Sequence, residues 1–233
     1  RVVLRKLREN PIMGETITLT AKDGITISAY VATPKTKPRG GIVVLQEIFG
    51  VNHHIRAVTD HYASHGYLAI APALYDRVEP DFEVGYLPPD IQRGSDVVQK
   101  VKREKTMLDI AAAIAYAKSA GKVGVVGYCW GGTMAYASAC HLAGLSAAVG
   151  YYGGGIAAMK ADTPQVPTIL HFGELDKHIP MENVHAIKTA QPRVAIYTYH
   201  ADHGFNCDER GSYDKPSAET ARTRTLEFFA AHL

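Results

Sequence analysis

Polarity alternates from residue to residue in TITLTA and ITISAYVA, residues 16 to 21 and 25 to 32, on either side of Lys-Asp-Gly. A period of two around a turn predicts an antiparallel hairpin with one solvated face. Downstream the pattern changes to short, nearly unbroken apolar runs: GIVVLQ (41 to 46), YLAIAP (67 to 72), KVGVVGY (122 to 128), LSAAVGYYG (145 to 153), VPTILHF (166 to 172) and RVAIYTY (193 to 199). Runs of this kind are expected of strands buried on both faces. Between most of them lie predicted helices at 53 to 65, 95 to 119, 131 to 142, 181 to 190 and 216 to 232. The alternation predicts an α/β fold, a mostly parallel sheet with helices on both faces. Residues 73 to 94 carry neither period and are rich in Pro, Gly and charge, the mark of a long functional or mobile excursion. No linker or repeat interrupts the 233 residues, so a single domain over 1 to 233 is expected.

Composition narrows the function classes. Lys and Arg number 25 against 23 Asp and Glu, a net charge of +2 with no long basic run, which excludes the electrostatic footprint of a nucleic-acid binder. The longest apolar stretches fall short of the ~20 residues a membrane span requires, so no membrane partner is expected. The start, RVVLRKLREN, has no apolar region and no small-residue cleavage site and does not read as a secretory signal. Three cysteines, Cys129, Cys140 and Cys207, are too few and odd in number for a disulfide framework, so a reducing compartment, the cytoplasm, is expected. A monomer without cofactor completes these expectations.

Chemistry concentrates where KVGVVGY runs straight into a helix through Gly127, Cys129 and Gly131. That is the layout of a nucleophile elbow, usually G-x-S-x-G: glycines two residues either side relieve collisions in a sharp turn whose central side chain stands above the sheet edge. The same residues also suit a small buried cysteine at a tight turn. A dinucleotide loop fits less well, because GYCWGG lacks G-x-G-x-x-G. An activated nucleophile needs a base and an orienting acid, in the chain order nucleophile, acid, histidine. Asp176 follows the strand VPTILHF and His203 follows RVAIYTY, with Glu174 a rival acid and His200 and His178 rival bases. His53 with His54, and His200, His203 and Cys207, are the histidine groups with ligand character; neither closes a four-ligand set, and no metal is expected. Cys140, the Tyr151 and Tyr152 pair and the Phe228 and Phe229 pair read as packing.

Taken together, GYCWGG, QEIFGVN after the first buried strand, ALYDR after the second, AVGYYGG and the HGF box resemble the dienelactone hydrolase (carboxymethylenebutenolidase) family, from about residue 12 to the C-terminus. The resemblance implies an α/β-hydrolase fold and opening of a lactone, or cleavage of a small ester, through an acyl-thioester. It implies Cys129 as nucleophile, His203 as base and acid, and Asp176 as the group orienting it. The oxyanion donors would be the backbone N–H groups of Trp130 and Ile48. Glu47 would contact the resting thiol and hold it protonated until substrate displaces it, and Arg77 would hold a substrate carboxylate, with Tyr151 also placed against the substrate. The family carries a second arginine four residues after the histidine, where this chain has Cys207, with Arg210 three further on. A dienelactone is the leading substrate; a related lactone or ester also fits. The competing reading is a non-hydrolytic relative using Cys129 for redox sensing or ligand binding, with Cys207 as resolving thiol.

Overall fold

The computed structural model describes residues 14 to 233; the N-terminal segment RVVLRKLREN lies outside the described residues. One eight-stranded sheet runs through the molecule in the order β1-β2-β4-β3-β5-β6-β7-β8. Strands β1 (Glu15–Thr20) and β2 (Thr26–Ala32) form the expected hairpin, paired antiparallel from Glu15 opposite Val31 to Thr20 opposite Thr26. Strand β2 runs antiparallel to β4 (Leu68–Pro72). The remaining strands, β3 (Gly41–Leu45), β5 (Val123–Tyr128), β6 (Ala147–Tyr151), β7 (Thr168–Gly173) and β8 (Ala195–Tyr199), are parallel to β4.

Burial explains the strand sequences. Every residue of β3, β4, β5, β6 and β7 is buried, so no polar face exists to generate alternation. Strand β8 departs from that expectation: it closes the sheet at one end and is half-exposed, with the Arg224 guanidinium 4.4 Å from the centre of the Tyr197 ring. Helix α1 (His53–Ser64) is capped by the Asn52 side chain, which accepts from the Ile55 N–H, and buries Ile55 and Tyr62. The last helix, Lys215–His232, is capped likewise by Asp214 and buries Ala218, Ala221 and Phe229.

The predicted helix 95 to 119 is two helices: α2 (Pro88–Val98) and α3 (Arg103–Ala117). Helix α2 begins inside the excursion 73 to 94, with Pro88 and Pro89 in its first turn and the Asp90 carboxylate accepting the Leu87 N–H at 3.1 Å. The two helices bury different surfaces. Val97 packs with Tyr75 and Phe82, whereas Ile110, Ala113, Ile114 and Ala117 pack on the sheet with Val43, Val125 and Ile70. A single straight helix could not reach both, and the chain bends between Gln99 and Lys102 without any breaker residue. The excursion is tied down by the same small cluster and by the bidentate ion pair of Arg56 with Glu83. Among the described residues no helix is long and apolar enough to cross a membrane.

Helix α4 (Trp130–His141) leaves β5 with no intervening loop except Cys129. It is followed by α5 (Met181–Ala190) and by α6, the Lys215–His232 helix. The first turn of α4 lies against the sheet so closely that a Cβ on Gly131 would strike the carbonyl oxygens of Leu45 and Gln46. Because the obstacles are backbone atoms of β3 and the loop after it, they cannot rotate away. Gly131→Ala is therefore expected to cost about 1–3 kcal/mol and to lower the thermal midpoint by roughly 3–10 °C, measured by circular dichroism.

Candidate active site

Strand order reverses between β3 and β5: the chain passes outward to β4 on one side and to β5, β6, β7 and β8 on the other. In open α/β sheets the crevice at such a point, beyond the carboxyl ends of the strands, is where ligands bind. Ile48 follows β3, Cys129 follows β5, Asp176 follows β7 and His203 follows β8, so four loops deliver their side chains to this edge.

Cys129 has φ 55° and ψ −119°, a left-handed conformation that a non-glycine residue adopts only when its surroundings impose it. Its N–H donates to the Tyr151 carbonyl at 3.0 Å, and its own carbonyl accepts from Thr133 at 3.2 Å. These bonds tie the turn to β6 on one side and to α4 on the other. A Cβ on Gly127 would collide with the Gly131 carbonyl, so the turn closes only with glycine there.

His203 stands between Cys129 and Asp176. Its Nε2 lies 3.2 Å from the Cys129 Sγ, and its Nδ1 lies 2.7 Å from Asp176 Oδ2. The other oxygen of Asp176 accepts the N–H groups of His178 and Ile179 at 2.8 and 3.2 Å, which fixes the carboxylate before the imidazole meets it. Burial is the largest single influence on the Asp176 carboxyl and raises it, but the bond to His203, its charge and the His178 N–H together outweigh burial and hold the pKa below the ordinary value. Burial likewise disfavours the His203 cation, yet the bonds to Asp176 and Cys129 prevail and the imidazole is pushed up to about 10. Of the rival groups, His200 is 83% exposed and Glu174 accepts from the Thr198 hydroxyl at 2.9 Å near the surface, whereas the His178 ring stands edge-on to that of His203, 5.4 Å between centres.

A cavity of about 380 Å³ opens over the Cys129 sulfur. Ile48, Phe49, Ile91 and Trp130 give it apolar walls, and Cys129, His203, His178 and Arg210, with the hydroxyl-bearing Ser95 and Thr133, line the rest. The size suits a small molecule. Trp130 opens α4, where N–H groups of a first helical turn lack intrahelical acceptors, and Ile48, in the loop after β3, lines the same cavity.

Three expected residues sit differently. Arg77 is not among the residues lining this cavity: its guanidinium is shared by Asp109 at 2.8 Å and Asp23 at 2.9 Å, and Asp109 is fully buried. Two carboxylates take all but one of its N–H donors, so it braces α3 against the loop after β4 and the hairpin turn. Tyr151 is buried beneath the site, its hydroxyl 2.7 Å from the Thr225 hydroxyl. Glu47 is buried as well, but its Oε1 accepts from Arg210 Nη1 at 3.0 Å, while the thiol is engaged with His203. A permanent cation is a stronger partner for a carboxylate than a neutral thiol.

Arg210, not Arg77, is the arginine that borders the cavity. Its guanidinium lies 5.6 Å from the centre of the Phe49 ring. Gly204, at φ +77°, makes room for it: a Cβ there would press on the Arg210 guanidinium. The glycine of the HGF box was the available signal for this approach. Ile91 falls within the excursion 73 to 94 expected as loop, although Leu-Pro-Pro-Asp at 87 to 90 is a helix-start signal. Nothing in the pattern distinguishes Phe49, and His178 stands out only as a rival base. Cys207 is completely buried, and burial together with Glu47 pushes its thiol up to about 12, the reverse of what a resolving thiol needs.

The family model for the dienelactone hydrolase family matches residues 27–233. The chain is 35% identical to a Synechocystis sp. protein assigned as a carboxymethylenebutenolidase, covering 94% of this chain and 97% of that one. It is 34% identical to the carboxymethylenebutenolidase of Pseudomonas putida, with the same two coverages, 94% and 97%. Among solved structures, a Klebsiella pneumoniae subsp. pneumoniae protein assigned as a dienelactone hydrolase superposes with a TM-score of 0.84 at 31% identity, covering 96% of this chain and 100% of the other.

Two outcomes test this geometry. Removing Arg77 strands the Asp109 charge in the interior, so Arg77→Met is expected to lower unfolding stability by about 3 kcal/mol or more in urea titration; a KM effect on carboxylate-bearing esters with no loss of stability would restore it to the substrate site. The His203 imidazole is expected to titrate by NMR near 10, falling in Asp176→Asn. Since that value exceeds the 6.5 of a free imidazole, its stabilisation is complete below pH 6.5 and lost as pH rises through 10, so the thermal midpoint should fall over that interval more steeply than in His203→Gln.

Proposed function

The chain belongs to the dienelactone hydrolase family, a family of lactone and ester hydrolases, and from that premise we propose that it cleaves its substrate through a covalent thioester on Cys129. The observation that carries this reading is His203 bridging the Cys129 sulfur and the Asp176 carboxylate at hydrogen-bond distances beneath a cavity of substrate size.

The sulfur of Cys129, with His203 holding the proton, adds to the substrate carbonyl, and the carbonyl electron pair moves onto oxygen. The N–H groups of Trp130 and Ile48 receive that oxyanion, and the start of α4 favours negative charge there. Collapse re-forms the carbonyl and breaks the bond to the ring or alkoxy oxygen, which takes the proton from His203 Nε2. For a lactone, both fragments stay joined in the acyl-enzyme. Water then gives a proton to Nε2 as its oxygen adds to the thioester, and the second collapse expels the sulfur with His203 again protonated. Asp176 keeps its charge throughout and stabilises the imidazolium.

A carboxylate on the substrate would find Arg210, whose Nη1 is engaged with Glu47 but whose guanidinium has further N–H donors beside the apolar wall. The preferred substrates are therefore small lactones or esters bearing an acid group, the dienelactone class among them. Cys129→Ala is expected to lower kcat/KM for a dienelactone and for p-nitrophenyl acetate by roughly 10⁴-fold or more, with the acylated Cys129 peptide of the wild type detected by mass spectrometry after an acid quench. Full turnover in that variant would remove the assignment. Arg210→Met is expected to raise KM for acid-bearing lactones by about 10- to 100-fold and to leave neutral esters nearly unaffected.

A further inference from the structure

Beside its bond to Arg210, the Glu47 carboxylate is approached by His54 and Cys207. One ligand atom from each of Glu47, His54 and Cys207 lies within 4.8 Å of the others, and all three side chains are buried. Two of the three carry atoms with no partner: Glu47 Oε2 and His54 Nε2 are shielded from solvent and make no hydrogen bond. An unsatisfied buried polar group is costly, and two of them beside a thiol point to a shared partner.

The outer contacts also fit. His54 Nδ1 lies 3.2 Å from Asp208 Oδ1, which places the ring proton on Nδ1 and leaves the Nε2 lone pair free. Metal-bound histidines are oriented by a carboxylate in this way. Glu47 is held from the other side by Arg210. A carboxylate, an imidazole and a thiolate form a donor set suited to zinc, whose tetrahedral ligands stand roughly 3.5 Å apart. Closure from the observed spacing needs only side-chain rotation of an ångström or so.

We propose that Glu47, His54 and Cys207 form a binding site for a thiophilic divalent cation of the zinc class, with water in the fourth position. On binding, Cys207 releases its S–H proton to solvent and coordinates as thiolate, Glu47 coordinates as carboxylate, and His54 coordinates as neutral imidazole. The two anionic ligands balance the two charges of the ion. This trio differs from the grouping of Cys207 with His200 and His203 that the sequence suggests. Occupancy would draw Glu47 charge away from Arg210 and so communicate with the cavity.

The test uses the full chain titrated with zinc chloride against a chromophoric chelator, and with cobalt(II) to follow the thiolate-to-cobalt charge-transfer band in the near ultraviolet. Cys129 with His203 is the competing thiol and imidazole pair. The site predicts one equivalent bound and a charge-transfer band that persists in Cys129→Ala. In Cys207→Ser, confirmed as folded by circular dichroism, the band disappears and zinc affinity falls at least about 100-fold. If Cys207→Ser does not fold, His54→Gln is measured instead, and unchanged affinity there overturns the proposal. A band lost in Cys129→Ala but retained in Cys207→Ser, or no stoichiometric binding to the folded wild type, overturns it as well.

Discussion

The backbone of Cys129 is the constraint on which the rest of the site depends. A left-handed residue between a buried strand and a buried helix is unfavourable by itself and persists because both elements are held by packing. Strand β5 lies between β3 and β6, and nine residues of α4 are buried against the sheet and its neighbours. The turn cannot relax without pulling one of them out of the core. The sulfur is thereby held at the sheet edge, and its distance to His203 is set by the fold more than by the flexibility of either side chain.

Around that point two carboxylates are used in opposite ways. Asp176 is exposed to backbone N–H donors and to an imidazole, and both stabilise its anion. Glu47 sits two residues beyond β3 with one oxygen on a guanidinium and the other unpartnered in the interior. Half-satisfied buried polar groups are rare in folded proteins and mark places where something else is accommodated. In this chain the group behind Glu47 includes a cysteine and a histidine, and the group in front of it includes an arginine that borders the cavity.

Charge also decides which arginine borders the cavity. Arg77 and Arg210 both lie in loops after strands, and sequence position favoured the first. Asp23 and Asp109 claim Arg77 from two elements far apart in the chain, the hairpin turn and α3. Arg210 meets a single carboxylate and an aromatic face, which leaves it capacity for a further anion.

Much of this was readable in one dimension, and the reason is local. Alternation in the hairpin, continuous apolar runs in five fully buried strands and the glycines flanking Cys129 each reflect a constraint on neighbouring residues, so they leave a mark in neighbouring positions. The chain order of Cys129, Asp176 and His203 was likewise visible, since each follows an apolar strand. The break between α2 and α3, the exposure of β8 and the pairing of Arg77, Glu47 and Cys207 left no such mark. They arise where segments a dozen or more residues apart compete for one surface or one charge, as Val97 does with Phe82, Arg77 with Asp109 and Glu47 with Arg210. Periodicity carries no information about a partner that distant; only the packed sheet brings it within reach.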